Sequence, residues 1–107
     1  MATIKAVIVD PDGEVRKTEI ENSLAPIQAV VGGYIEGVFG DDCTIYVNEE
    51  GIILSLPYNP SATLFANKFV AEGHTLFGTV LIVGPPDGHG NDTSVHESVV
   101  SYYPLED

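Results

Sequence analysis

The chain has few basic residues, one cysteine, no tryptophan and no long apolar segment. Four Lys and Arg residues stand against sixteen Asp and Glu residues, which gives a formal net charge of -12 at pH 7. A surface this negative repels free nucleic acid and anionic lipid, so we expect neither direct nucleic-acid binding nor membrane association. The charge suits a basic protein partner, a cationic ligand, or solubility alone.

Cysteine usage and the length of the apolar runs limit the cellular setting. Cys43 is the only cysteine, which excludes an intrachain disulfide and argues against a secreted disulfide scaffold. It lies in an apolar, β-branched run, which predicts a buried structural thiol rather than a nucleophile. The apolar runs are far shorter than the roughly 20 residues of a membrane helix, and no signal-peptide pattern opens the chain. We therefore expect a cytoplasmic protein.

Familiar catalytic and metal-binding patterns are also missing. The chain contains no G-x-S-x-G, Walker A, H-E-x-x-H or C-x-x-C motif. Asp10, Asp12 and Glu14 resemble the opening of a calcium-binding loop, but Val15 occupies the position of its required glycine. We expect no enzyme, no metal ion and no cofactor.

Turn signals and apolar periodicity divide the chain into hairpin-connected strands and short helices. Strands are predicted over residues 3–9, 14–20, 34–39, 43–47, 52–56 and 78–84, and helices over 24–31, 61–70 and 94–103. Strand 78–84 is apolar on both faces, which predicts a central position in the sheet. Together these elements predict one α+β domain over residues 1–107, with its core in 3–84 and a C-terminal helix in 94–103. The sheet is expected to be mainly antiparallel, with about five to six strands and two to three short helices.

Serines stand at the predicted start of each helix. Ser23 and Ser61 are placed to cap the first and second helices, and Ser94 with Glu97 forms a capping box for the third. Gly32 is suited to the left-handed position that ends the first helix.

The stretch from Asn48 to Pro60 looks least like generic scaffold. Two carboxylates and two carboxamides surround a predicted turn between apolar runs. A solvated hairpin turn is the simpler interpretation. The functional alternative is a polar rim over an apolar floor, which is how small polar ligands are commonly held. Its predicted ligand-binding residues are Asn48, Glu49, Tyr58 and Asn59.

Several short motifs together resemble a known family. They are Ile20-Glu21-Asn22-Ser23-Leu24, Ile27-Gln28, Val31-Gly32-Gly33-Tyr34-Ile35-Glu36, Asn48-Glu49-Glu50-Gly51, Leu56-Pro57, Asn59 and Gly78-Thr79-Val80-Leu81-Ile82-Val83-Gly84. This combination is similar to a small domain-of-unknown-function family of bacteriophages and mobile elements. The resemblance implies a phage-type protein, acting in the host-cell cytoplasm if phage-encoded.

The resemblance and the missing catalytic motifs favour a non-enzymatic, anti-defence binding protein. The first hypothesis is that it sequesters a small nucleotide-derived signal, in a pocket that a homo-oligomer could share between protomers. An alternative is an acidic DNA mimic that inhibits a basic host defence protein, a CRISPR or restriction nuclease. A second alternative is a small hydrolase that uses Glu49 or Glu50.

Overall fold

A computed structural model describes residues 3–103 as five strands and three helices. The strands are β1 Thr3–Val9, β2 Val15–Glu21, β3 Ile35–Phe39, β4 Thr44–Asn48 and β5 Val80–Val83. The helices are α1 Leu24–Val31, α2 Pro60–Phe69 and α3 Glu97–Tyr102. The predicted α+β class with a mainly antiparallel sheet is confirmed. In this described part, no helix is long and apolar enough to cross a membrane.

All five strands form one sheet in the order β2-β1-β5-β4-β3, and every neighbouring pair is antiparallel. The four residues of β5 are all buried, which confirms the central strand that its apolar sequence predicts. β1 and β2 form a hairpin across Asp10–Gly13, where Gly13 takes a φ of 92° that favours glycine. The two outer strands of the sheet are therefore β2 and β3.

Each face of the sheet carries its own apolar core because side chains alternate along a strand. On one face, α1 packs through Ile27 against the odd-numbered residues Leu81 and Val83 of β5. On the opposite face, α2 and α3 cover the even-numbered residues Val80 and Ile82. The second core contains Phe65, whose ring stacks on Phe69 and Tyr103 at centroid distances of 4.4 and 5.5 Å. We call these sides the α1 face and the α2 face.

The strand predicted over residues 52–56 is wrong. This segment forms a helical turn, in which the Leu54 N–H donates to the Glu50 carbonyl at 2.8 Å and the Leu56 N–H to the Gly51 carbonyl at 2.9 Å. Ser55 takes a left-handed φ of 55°. β4 is already paired on both edges, by β5 and β3, so this segment cannot form the predicted hairpin with β4.

The predicted helix caps are only partly correct. α2 is capped by Asn59 rather than Ser61, and Pro60 occupies its first turn. The capping box predicted for α3 is wrong, because α3 begins after His96 and the Ser94 hydroxyl accepts the Lys5 N–H at 2.9 Å instead. Ser23 does precede α1, but its hydroxyl donates to a Glu21 carboxylate oxygen at 3.1 Å rather than accepting from the helix.

Candidate functional site

Asn59 lies inside the fold and its side-chain amide is fully used there. Its Nδ2 group donates to the carbonyls of Val9 at 3.0 Å and Gly78 at 2.9 Å, and its Oδ1 accepts the Ala62 N–H at 3.0 Å. The residue is 0% exposed. Asn59 thus ties the start of α2 to β1 and to the chain just before β5, and no part of its amide faces solvent.

Asn48 holds a similar internal position at the end of β4. Its Nδ2 donates to the Val31 carbonyl at the end of α1 at 3.2 Å, and its Oδ1 accepts the Glu50 N–H at 2.8 Å. Because it is only 5% exposed, its amide serves mainly to fix the turn that follows β4.

Glu49 and Tyr58 are the two exposed members of the predicted site, and they lie in different places. The Glu49 side chain is exposed and lines a groove described below, which Asn48 also borders. Tyr58 is half-exposed and meets Phe77 edge to face, at a centroid distance of 6.1 Å. Neither Tyr58 nor Asn59 lines the groove, so the structure brings together only Asn48 and Glu49.

The groove encloses about 730 Å³ at the β3 end of the sheet. We call it the edge groove and define it by three segments: Glu36–Phe39 of β3, the turn Gly51–Ile53, and the irregular segment His74–Phe77. Gly51 lets two of these segments approach each other, since a Cβ there would lie 3.3 Å from the Phe77 Cβ.

Large apolar side chains of the edge groove are open to solvent. Ile53 is 81% exposed, Ile52 75% and Phe39 61%, and the neighbouring Leu54 is 52% exposed. Single exposed apolar residues are ordinary, whereas Ile52, Ile53 and Leu54 are three in succession beside the groove.

The charged side chains that line the edge groove are both carboxylates. Glu36 and Glu49 line it together with His74, and none of the four Lys and Arg residues does so. An apolar wall with an acidic rim favours a ligand that carries both apolar and positively charged groups.

The single thiol is not available for chemistry at this site. Cys43 is 0% exposed and packs in the core of the α2 face, which confirms the predicted buried thiol. Burial, with a smaller contribution from the neighbouring Asp42 carboxylate, raises the pKa of the thiol to about 11. A thiol with this pKa is neutral and unreactive at physiological pH.

Asp10, Asp12 and Glu14 come together at the β1–β2 turn, with one carboxylate oxygen from each lying within 4.8 Å of the others. Two of these groups already have partners. Asp10 accepts from Arg16 at 3.1 Å and from the Thr79 hydroxyl at 2.7 Å, and Asp12 accepts the Glu14 N–H at 2.9 Å. These contacts account for the cluster as turn chemistry.

Sequence reasoning missed the apolar half of the edge groove. The sequence predicts a strand over Ile52, Ile53 and Leu54, in which alternate side chains would be buried. A strand with one exposed face requires alternating apolar and polar residues. The sequence carries a signal against such a strand, because three consecutive large apolar residues stand between Gly51 and Ser55.

The chain matches the family described as Domain of unknown function (DUF3846) over residues 4–105, and it belongs to that family. The match covers nearly the whole chain. No curated protein and no solved structure matches it.

Proposed function

We propose that this protein is a non-catalytic binding protein that holds a segment of a partner protein in the edge groove. The proposed segment combines apolar and positively charged side chains. The observation that carries the proposal is the run Ile52–Leu54, exposed beside a groove whose carboxylates are Glu36 and Glu49. Burial of such side chains is the main favourable term in protein association.

A small nucleotide-derived ligand suits this groove less well. Phosphate groups are usually held by Lys, Arg or the N–H groups at the start of a helix. Lys5 and Lys17 lie instead around a separate depression of about 620 Å³, where Glu19 and Glu97 also stand. The geometry therefore favours the protein-partner hypothesis over sequestration of a nucleotide signal.

Within the phage setting that the sequence motifs imply, the partner would be a basic host defence protein, and binding would block it. The net charge of -12 would speed the encounter with such a partner, while the apolar groove would hold the complex together. The proposal predicts an association that weakens as salt rises.

A defined peptide tests the proposal without knowledge of the partner. The probe alternates threonine with lysine and valine, in the sequence TKTVTKTVT, and a TETVTETVT peptide tests the charge requirement. Fluorescence anisotropy at low salt should show saturable binding of the first peptide and none of the second. If both peptides bind alike, or neither binds, the proposed partner chemistry is wrong.

Two pairs of variants locate the binding. Ile53→Ser should weaken the peptide affinity about tenfold, which is about 1.4 kcal/mol, whereas Leu64→Ser on α2 should leave it unchanged. Leu64 is a matched control because it is 66% exposed and does not line the groove. Glu36→Gln should weaken binding about threefold, and Glu19→Gln, which removes the same charge from β2, should change it less. Equal effects within each pair would place the binding outside the edge groove.

A further inference from the structure

The outer edge of β3 exposes backbone groups in a regular alternation. Within the β3–β4 hairpin, Glu49 N–H donates to the Tyr34 carbonyl at 2.9 Å and Gly40 N–H to the Cys43 carbonyl at 2.8 Å. These two contacts fix which β3 residues turn their backbone toward β4, because bonded and non-bonded pairs alternate in an antiparallel ladder. Glu36 and Val38 face β4, so Ile35, Gly37 and Phe39 direct their N–H and C=O groups away from the sheet.

This edge is open within the described residues 3–103. No turn or loop hydrogen bond there involves the backbone of Ile35, Gly37 or Phe39. β3 is the last strand of the sheet on this side. A row of alternate unpaired donors and acceptors is a template for another strand.

The two edges of the sheet differ in how well they are protected. β2 carries Arg16, Lys17 and two glutamates among its seven residues, and charges of this kind discourage strand pairing. β3 carries one charge, Glu36, and has Gly37 at its centre. The β3 edge also borders the edge groove, whereas β2 lies at the far side of the sheet.

We propose that the partner segment binds by adding a sixth strand to the free edge of β3. This inference rests on the proposed function and specifies how the groove is used. Main-chain hydrogen bonds to Ile35, Gly37 and Phe39 would supply part of the affinity, and alternate side chains would supply the specificity.

The positions of Glu36 and Val38 define the side chains of the added strand. Both lie on the α2 face, because they stand opposite Val47 and Ile45 of the core on that face. A residue opposite Glu36 is therefore basic. The residue two positions along, opposite Val38, is apolar and points toward the groove walls at Val70. The partner motif is basic-x-apolar.

Charge decides between this partner and a second copy of the chain. Two copies would each bring a formal charge of -12, and their strands would offer a glutamate and no basic residue. A cationic segment neutralises Glu36 and meets no such repulsion. The charges therefore favour a different protein, rather than a second copy of this chain, as the partner at this edge.

Amide hydrogen exchange tests the strand directly, with the TKTVTKTVT peptide as probe. In the free protein, the amides of Ile35, Gly37 and Phe39 should exchange fast, whereas those of Glu36 and Val38 should be protected by β4. Saturating peptide should slow exchange at the first three amides about tenfold or more. Amides in β2, such as Lys17 and Glu19, serve as the internal control and should not change.

Two N-methylated forms of the peptide separate strand addition from simple side-chain docking. In the proposed register the backbone N–H and C=O groups of the threonines form hydrogen bonds with β3. The backbone N–H and C=O groups of the lysines and valines face away from β3. Methylation of the threonine amides should abolish binding, and methylation of the lysine and valine amides should leave it within about threefold.

The outcomes distinguish this inference from the proposed function. If the peptide binds and Ile53→Ser weakens it, but the Ile35, Gly37 and Phe39 amides stay unprotected, strand addition is wrong and the groove function stands. If the peptide does not bind, the proposed function itself fails. Protection of these amides that rises with protein concentration and needs no peptide would identify a second copy as the occupant and overturn the inference.

Discussion

Replacement of Asn59 by alanine should destabilise the fold by about 3 kcal/mol. The buried amide makes three hydrogen bonds, to the Val9 carbonyl, the Gly78 carbonyl and the Ala62 N–H. Each such bond contributes about 1 kcal/mol net. The bond to the Ala62 N–H is also the cap of α2, and the loss of a helix cap typically costs about 1 kcal/mol as well. Unfolding a chain of 107 residues raises the entropy by about 0.22 kcal/mol/K at the melting temperature. Dividing the loss of about 3 kcal/mol by this entropy gives a fall in melting temperature of about 13 °C.

Urea unfolding followed by circular dichroism measures this loss, with two companion variants. Asn91→Ala removes the same amide from an exposed loop and should change stability by less than about 0.5 kcal/mol. Asn59→Asp keeps an oxygen for the cap, but it loses both donors and buries a charge, so it should be at least as damaging as alanine. If Asn59→Ala is no more destabilising than Asn91→Ala, the amide does not hold α2 to the sheet and the internal role assigned to it is wrong.

Three further predictions concern the strand β4 and the residue before it. Folding raises the pKa of Cys43 from 9.0 to about 11, so the contribution of the protonated thiol to stability is complete below pH 9 and is lost as pH rises toward 11. Urea unfolding across that pH range should therefore show a steeper decline in stability for the native chain than for Cys43→Ala. Parallel curves for the two chains would contradict the burial of the thiol. The Thr44 hydroxyl is buried without a hydrogen-bond partner among residues 3–103, so Thr44→Val should raise the free energy of unfolding by about 1 kcal/mol in the same assay. A lower stability of this variant would mean that the hydroxyl is hydrogen-bonded in the folded protein. The Tyr46 hydroxyl donates to Asp92 at 2.7 Å, so Tyr46→Phe should lower the free energy of unfolding by about 1 kcal/mol. The same change should speed amide hydrogen exchange in the loop of residues 85–93. Unchanged exchange in that loop would show that the contact does not anchor it.

The sheet was predictable because its strands are defined by local patterns. The Asp10-Pro11-Asp12-Gly13 turn predicts the β1–β2 hairpin, and the doubly apolar run at residues 80–83 predicts the central strand. The helix α1 was equally clear, since Gly32 ends it in a left-handed conformation as expected. These features depend on residues close together in the sequence.

The errors arose where a contact distant in sequence decides the structure. Ser94 matches a capping box by spacing, but its hydroxyl pairs with Lys5 across 89 positions. Residues 52–56 have strand-like composition, yet β3 and β5 already occupy both edges of β4, the strand that precedes them. The polar amide of Asn59 predicts a ligand contact, whereas this amide donates to two carbonyls, one in β1 and one in the chain before β5.

The candidate site was predictable only in part. The sequence predicts Glu49 as a site residue because its carboxylate lies at a turn between apolar runs, and Glu49 does line the edge groove. Glu36 and Phe77 are distant from Glu49 in the sequence and reach the groove only through the tertiary fold. The free edge of β3 was likewise beyond prediction, because strand order cannot be inferred from the strands themselves.

The most direct test of the proposed binding role is a two-dimensional amide NMR titration of the labelled protein with the TKTVTKTVT peptide. We expect saturable shift changes concentrated at Glu36–Phe39, Ile52–Ile53 and Thr75–Phe77, the three sides of the edge groove. The residues of β2 should remain at their original positions. Shift changes spread evenly over the acidic surface, or centred on β2, would contradict a binding function at this groove.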